Sequence, residues 1–253
     1  MPTDPAAIDI DRMPRGGPDA SWLDRRLQTD RLEYLDRDDV DDRVKRQVVR
    51  ALERIGTLFK DHEKFARLAL HEVADVAEPK ILELGSGHGG LSRKLLEIHP
   101  TALITVTDLD PTSVANIAAG DLGTNRRATV RVMDATAIDA PDGYFDLVVF
   151  AQSFHHLPPP LASRVFAEGT RVADKLLIID LPRPASVRHI AQLAPFLPLT
   201  AVTPFAHEAV ISSLRAYSPS AMRALAAHAD PTIDVQLHKQ PWGRQIVVAS
   251  RPR

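Results

Sequence analysis

The stretch ILELGSGHGG, Ile81 to Gly90, decides the fold. The apolar run KILEL has the length and composition of a buried strand. Glycines at 85, 87, 89 and 90 follow it, and GLSRKLLEIH then has helical length and period. A strand that turns through glycines into a helix is the ligand-binding βα unit of a parallel sheet. Gly85, Gly87 and Gly90 fit G-x-G-x-x-G, and Asp108 stands 23 residues beyond Gly85, the spacing of a dinucleotide fingerprint. Gly85, Gly87 and Gly89 also fit the tighter E-x-G-x-G-x-G, with Glu83 two residues ahead of the first glycine.

Outward from this loop the period is regular. ALITVTD, TVRVMD, FDLVVFA and KLLIIDL alternate with PTSVANIAAG, PPLASRVFAEGTR and other segments of helical length. Strands alternating with helices predict an open, mostly parallel α/β sheet with its ligands at the carboxyl ends of the strands. Asp110-Pro111 and Ser218-Pro219 read as helix starts. TIDVQLHKQ and RQIVVAS flank Pro241-Trp242-Gly243 and predict a terminal antiparallel hairpin. Upstream, apolar residues from Leu23 to Val76 recur at spacings of three and four, including Phe59 and Phe65 as core positions. The acidic run Asp36 to Asp42 reads as a solvated helix start.

The expected organisation is a tail over 1–19 that buries little, an N-terminal helical cap over 20–78, and a ligand-binding domain over 79–253. Within that domain a proline-punctuated lid insertion occupies about 182–217. Lys and Arg number 31 against 33 Asp and Glu, a net charge of -2, which excludes a general basic field for nucleic acid. There is no cysteine, so no disulfide, thiolate metal site or cysteine nucleophile. The start lacks a signal-peptide core and no apolar run approaches a bilayer span, so a cytoplasmic protein with no membrane partner is expected. A homodimer through the N-terminal helices is expected as well.

Glu83 separates the two candidate ligands. A carboxylate at a helix N-terminus repels a pyrophosphate but favours a ligand with an amino group and a sulfonium, which points to S-adenosylmethionine. ILELGSGHGG, VTDLDP, VMDATAI and FDLVVFAQSFHHL, in that order, resemble the motifs of class I S-adenosylmethionine-dependent methyltransferases over about Lys80 to Leu181. That resemblance implies a Rossmann-like α/β fold with a mostly parallel seven-stranded sheet, a terminal antiparallel hairpin, N-terminal helices and a lid. It implies a cofactor site of Glu83, Gly85, Ser86, Gly87, Gly89, Asp108, Leu109, Asp134, Ala135, Phe150 and Ala151. Asp108 would take the ribose hydroxyls, Asp134 and Ala135 the adenine, and Phe150 and Ala151 the methionyl part.

FHHLPPP further resembles the base-carrying segment of small-molecule and deoxysugar O-methyltransferases. The implied catalytic residues are His155 or His156, with Asp180 at the end of the fifth strand. Only one of two adjacent histidines is expected to face the acceptor. A hydroxyl needs its proton removed as it attacks, so a histidine base favours oxygen methylation of a small polar metabolite, a saccharide or glycosylated compound first. C-methylation of quinone or polyketide type is the alternative, and an NAD(P)-dependent oxidoreductase the remote one. No metal site is assigned, although a divalent ion such as magnesium at His155, His156 and Asp180 stays open. Arg183, Arg188 and Arg215, with Trp22, Tyr34, Phe196, Phe205 and Tyr217, are candidates to meet the acceptor. Ala173-Asp174-Lys175 replaces the usual Gly-Gly turn before the fifth strand, which leaves the register of Asp180 open by one residue.

Overall fold

The apolar runs become strands where helices cover both of their faces. In the computed structural model, which describes residues 9–239 and 243–252, the strands are β1 (Lys80–Leu84), β2 (Leu103–Asp108), β3 (Ala128–Val132), β4 (Phe145–Ala151), β5 (Ala173–Asp180), β6 (Asp234–Lys239) and β7 (Gln245–Ser250). They form one sheet in the order β3-β2-β1-β4-β5-β7-β6. The first five are parallel, and β7 runs antiparallel to both β5 and β6. This is the mostly parallel seven-stranded sheet with a terminal antiparallel pair that the sequence predicts; Pro241 and Trp242 of its turn lie outside the described residues.

Strand register brings the chemistry to one edge. Asp108 pairs with Val132, Leu84 with Phe150, and Ala151 with Ile179, so the carboxyl ends finish side by side. Strand order reverses between β1 and β4, which opens a crevice there. Two helical layers enclose the sheet, preceded by α1 (Trp22–Arg26) and α2 (Asp42–Leu58) and with the short α6 (Asp121–Thr124) before β3. On one face α3 (Asp61–Glu72), α4 (Gly90–Ile98) and α5 (Pro111–Ala118) bury Phe65, Leu91, Leu95 and Ile117 against Ile81, Ile104, Val149 and Ile179. On the other, α7 (Pro159–Val172) and α10 (Pro219–Ala229) bury Phe166 and Leu225 against Leu82, Phe150, Leu176 and Ile178. Each such side chain taken from water contributes about 1.5–3 kcal/mol.

Helix starts follow the local signals. Asp110 accepts from Thr112 N and Ser113 N with Pro111 at the first helical position, and Ser218 accepts from Ala221 N with Pro219 there. α7 runs directly into β5 without a glycine turn, and Asp180 still ends the strand. The segment after β5 divides at its prolines into α8 (Ser186–Leu193), a 3₁₀ turn at Leu197–Ala201 and α9 (Pro204–Arg215).

Two expectations are corrected by packing. Residues 9–19 were expected to bury little, yet Ile10 and Met13 join the core beside α7 and α10, and Arg15 is buried too. Phe59, expected in the core, is 56% exposed at the end of α2 (Asp42–Leu58), whereas Phe65 is fully buried. Helical spacing shows which residues share a face, but α2 meets too little of the sheet to cover its end. Among the described residues no helix is long and apolar enough to cross a membrane.

Candidate active site

The glycine loop after β1 requires its glycines. Gly85, Gly87 and Gly89 have φ of +60°, +57° and +77°, a region that side chains rarely tolerate. A Cβ on Gly85 would lie 2.9 Å from the Phe150 ring, while one on Gly87 would meet nothing within 4 Å. The loop therefore packs tightly on β4 and leaves bare backbone facing open space. Ser86 donates its N–H to Thr107 O at 2.9 Å, and its buried hydroxyl has no partner among the described residues.

Asp108 closes this half of the site. Its Oδ2 accepts from Gly87 N at 2.8 Å and its Oδ1 from Asp110 N at 3.0 Å, which fixes a half-buried carboxylate between the loop and the end of β2. Each oxygen keeps a lone pair for a further donor. Leu109 is exposed beside it, and exposed Asp134 is held by Thr136 through Oδ1 at 2.8 Å. Ala135 is half-buried after β3, and Phe150 and Ala151 end β4 against the loop.

Glu83 departs from expectation. Alternation along β1 puts it on the face of Ile81, beneath the loop, where its carboxyl is buried and accepts from the Ser92 hydroxyl of α4. Burial, partly offset by those hydrogen bonds, pushes its pKa up to about 7. Its carboxyl is thereby tied to the first turn of α4 under the glycine loop.

The second half of the site is built by a sharp turn. Gln152, at φ +59°, is one of two non-glycine residues with positive φ among the described residues, and its N–H still bonds Ile179 O at 2.8 Å. The chain then folds back as a 3₁₀ turn, Phe154–His156. Phe154 is locked edge-on among Phe150, Phe166 and Tyr217, with centroids 5.7–5.9 Å apart. That anchor drops His155 onto the end of β5: its backbone N–H donates to Asp180 Oδ2 at 2.8 Å, and its Nδ1 lies 2.7 Å from Oδ1.

Contrary to expectation, both histidines turn into one cluster, with ring centroids 4.5 Å apart. His155 Nε2 is 3.3 Å from Glu33 Oε1, and His156 Nε2 is 3.6 Å from Glu33 Oε2. His156 Nδ1 is 2.7 Å from Asp36 Oδ2. Burial alone would lower the pKa of His155, but the Asp180 and Glu33 carboxylates more than offset it and raise it to about 9. Glu33, Asp36 and Asp180 are all held below the usual carboxylate range; burial opposes this, and the histidines overcome it. His155 thus keeps its proton at neutral pH and faces a carboxylate on each side, which does not suit a free base. His156 is the more open of the two, its side chain 27% exposed.

Glu33 and Asp36 come from the N-terminal segment, around a 3₁₀ turn at Tyr34–Asp36. Buried Glu208 of α9 holds that turn by accepting Tyr34 N at 2.7 Å and Leu35 N at 3.3 Å, and Tyr34 stacks on His207 with centroids 4.0 Å apart. Arg15 donates to His155 O at 2.8 Å and to Arg215 O, while Arg215 donates to His156 O and lies 3.5 Å from Asp36. Arg183 is clamped on Asp24 and on carbonyls of Leu214 and Leu27. Arg183 and Arg215, expected to meet an acceptor, are therefore committed internally; Arg188 is exposed. Tyr217 is likewise buried, its hydroxyl donating to Leu157 O at 2.7 Å. Sequence reasoning missed Glu33, Arg15 and Glu208. It saw Asp36 only as part of an acidic run.

Residues 81–175 match a family described as a methyltransferase domain. Over 100 residues the chain is 39% identical to the malonyl-[acyl-carrier protein] O-methyltransferase of Geobacter sulfurreducens, covering 39% of this chain and 36% of that protein. Over 87 residues it is 36% identical to the enzyme of the same description from Paenibacillus sp. (strain JDR-2), covering 33% and 31%. These matches span about a third of the length of those curated relatives. The structure of the plantazolicin methyltransferase BpumL in complex with SAH superposes with a TM-score of 0.63 at 10% identity, covering 87% of this chain and 93% of that one. Residues 81–175 thus resemble a methyltransferase domain, and the chain shares its Rossmann-like fold with the BpumL structure.

Proposed function

We propose that this protein transfers a methyl group from S-adenosylmethionine to an oxygen of a small polar acceptor. The observation that carries the reading is the pairing of two half-sites at one sheet edge: a bare glycine loop with a fixed Asp108, and the acid-imidazole cluster at the ends of β4 and β5. The donor set fits the cofactor. Open backbone at Gly87, the partnerless Ser86 hydroxyl, and the free lone pairs of Asp108 suit a ribose diol and an amino acid moiety. Asp134, Ala135, Leu109, Phe150 and Ala151 would complete that binding surface. Bound there, S-adenosylmethionine would supply a methyl carbon activated by its sulfonium. The chain's own task is then to position the acceptor oxygen and exclude water.

The two curated relatives, both described as O-methyltransferases, support oxygen as the acceptor atom. Asp180 positions His155, and Asp36 orients His156, the more open imidazole, at the same sheet edge, where it can act on a hydroxyl acceptor. Saccharides and glycosides are the first acceptor class to test, carboxylic acids and acyl thioesters the second. The experiment supplies methyl-labelled cofactor and both classes to the purified protein, then locates the label. Labelled ethers or base-labile esters are expected, with His156→Ala lowering kcat on hydroxyl acceptors while S-adenosylhomocysteine affinity stays unchanged. Label found on carbon would replace this reading with C-methylation. Binding of a nicotinamide dinucleotide in place of the sulfur ligands would end it.

A further inference from the structure

We infer that Glu33, His155 and His156 form a binding site for one divalent transition-metal ion, which holds the acceptor oxygen. The inference rests on the methyltransferase reading only for the ion's role, not for its binding. The candidate ligand atoms, a Glu33 carboxylate oxygen and one nitrogen of each imidazole, all lie within 4.8 Å of one another. Two of them are buried polar atoms with no aligned hydrogen-bond partner among the described residues: Glu33 Oε1 and His155 Nε2, in side chains 4% and 5% exposed. At 3.3 Å they face each other out of hydrogen-bond alignment, so each spends its desolvation cost without an aligned bond.

The surroundings are those of a ligand set. Each imidazole is held through Nδ1 by its own carboxylate, Asp180 for His155 and Asp36 for His156, both at 2.7 Å. A carboxylate on Nδ1 fixes the tautomer that offers Nε2 to an ion and raises its basicity. The backbone is fixed from outside: Arg15 and Arg215 donate to the carbonyls of His155 and His156. Three carboxylates, Glu33, Asp36 and Asp180, lie against the two imidazoles. Two nitrogens and one carboxylate favour zinc, cobalt or manganese over magnesium, and three protein ligands leave positions for an acceptor oxygen. The half-exposed edge at His156 and Asp36 gives the ion a way in.

Sequence had placed the open metal alternative on His155, His156 and Asp180; the geometry instead puts Asp180 behind His155 and Glu33 in front of it. The test is titration of the purified full chain with Co²⁺, read by its visible ligand-field absorption and by calorimetry. It is repeated on Glu33→Gln, on His156→Ala, and on His62→Ala combined with His88→Ala, a half-buried and an exposed histidine outside the cluster with rings 5.3 Å apart. S-adenosylhomocysteine binding by each variant serves as the check on folding. One equivalent of Co²⁺ should bind, with affinity lowered at least about 100-fold in Glu33→Gln and His156→Ala and unchanged in the double variant. No stoichiometric binding, or binding that only the His62 and His88 changes abolish, would overturn the site and leave an internal ion-pair network. Sulfur-ligand binding without cobalt binding defeats this inference alone, whereas cobalt binding without sulfur-ligand binding defeats the methyltransferase reading alone.

Discussion

The two halves of the candidate site are built in different ways. The half at the ends of β1 and β2 comes from short contiguous stretches: a glycine loop, then Asp108 bonded to Gly87 across 21 residues. The half at the ends of β4 and β5 is closed by residues far away in the chain, since His156 meets Asp36 across 120 residues and Arg15 meets His155 across 140. One half is a property of the βα unit, common to any ligand-binding sheet of this topology. The other depends on the N-terminal segment folding back over the sheet edge, and there selectivity for the acceptor can reside.

Substitutions that act on one half only sharpen the contrast. The largest effect is expected from Asp180→Ala. This fully buried carboxylate accepts from the backbone N–H groups of His155 and Leu181 and pairs with the imidazole, so its loss strands three groups. Breaking such a buried pair costs about 3–5 kcal/mol. Denaturant unfolding should show that loss, and a change below about 1 kcal/mol would mean that the cluster rearranges freely.

Glu83→Gln probes the other half, and its effect depends on pH. The folded protein holds the Glu83 proton up to about pH 7, while the unfolded chain releases it near 4.5. Between those values the unfolded state binds fewer protons, so stability falls as pH rises through the window, by about 3 kcal/mol in all. Above it the penalty is constant. Glutamine still accepts from Ser92 but carries no such penalty, so the variant should be the more stable one at pH 8 and match the wild type near pH 4.5. Parallel unfolding curves across this range would show that Glu83 is not buried beneath the loop.

Glu208→Ala tests whether the distant segment is held as described. Without its bonds to Tyr34 and Leu35, the 3₁₀ turn loses two acceptors, at a cost of about 1–3 kcal/mol. Amide hydrogen exchange should speed up around residues 31–36 and stay unchanged in the glycine loop. Equal acceleration in both would erase the distinction between the halves. The smallest effect is expected at the solvent-facing Glu63–Arg67 pair on α3, where Arg67→Ala should leave the chemical unfolding midpoint almost unchanged.

The sequence revealed what is encoded within one or two elements. The strands, the capped helix starts at Asp110 and Ser218, the positive-φ glycines and Asp108 each carry a local signal, because backbone geometry or a neighbouring N–H demands that residue type. Asp180 was legible too, since a strand's end sets its position even without the usual glycine turn. Glu83 was legible as a motif, but its burial and its bond to Ser92 were not, because they depend on how α4 packs on β1. Glu33 had no signal at all. A glutamate in a polar segment gains its role only when Glu208, Arg215 and Tyr34 seat that segment over His155, contacts made across more than a hundred residues. Phe59 failed for the opposite reason, because helical period marks a face without showing what covers it.

The most direct test of the central claim is calorimetric titration of the purified chain with S-adenosylhomocysteine, alongside Asp108→Ala and a nicotinamide dinucleotide. Saturable one-to-one binding of the sulfur ligand, weakened by about 10-fold or more in Asp108→Ala and absent for the dinucleotide, is the predicted result. Dinucleotide binding at the same loop, or sulfur-ligand binding indifferent to Asp108, would contradict it.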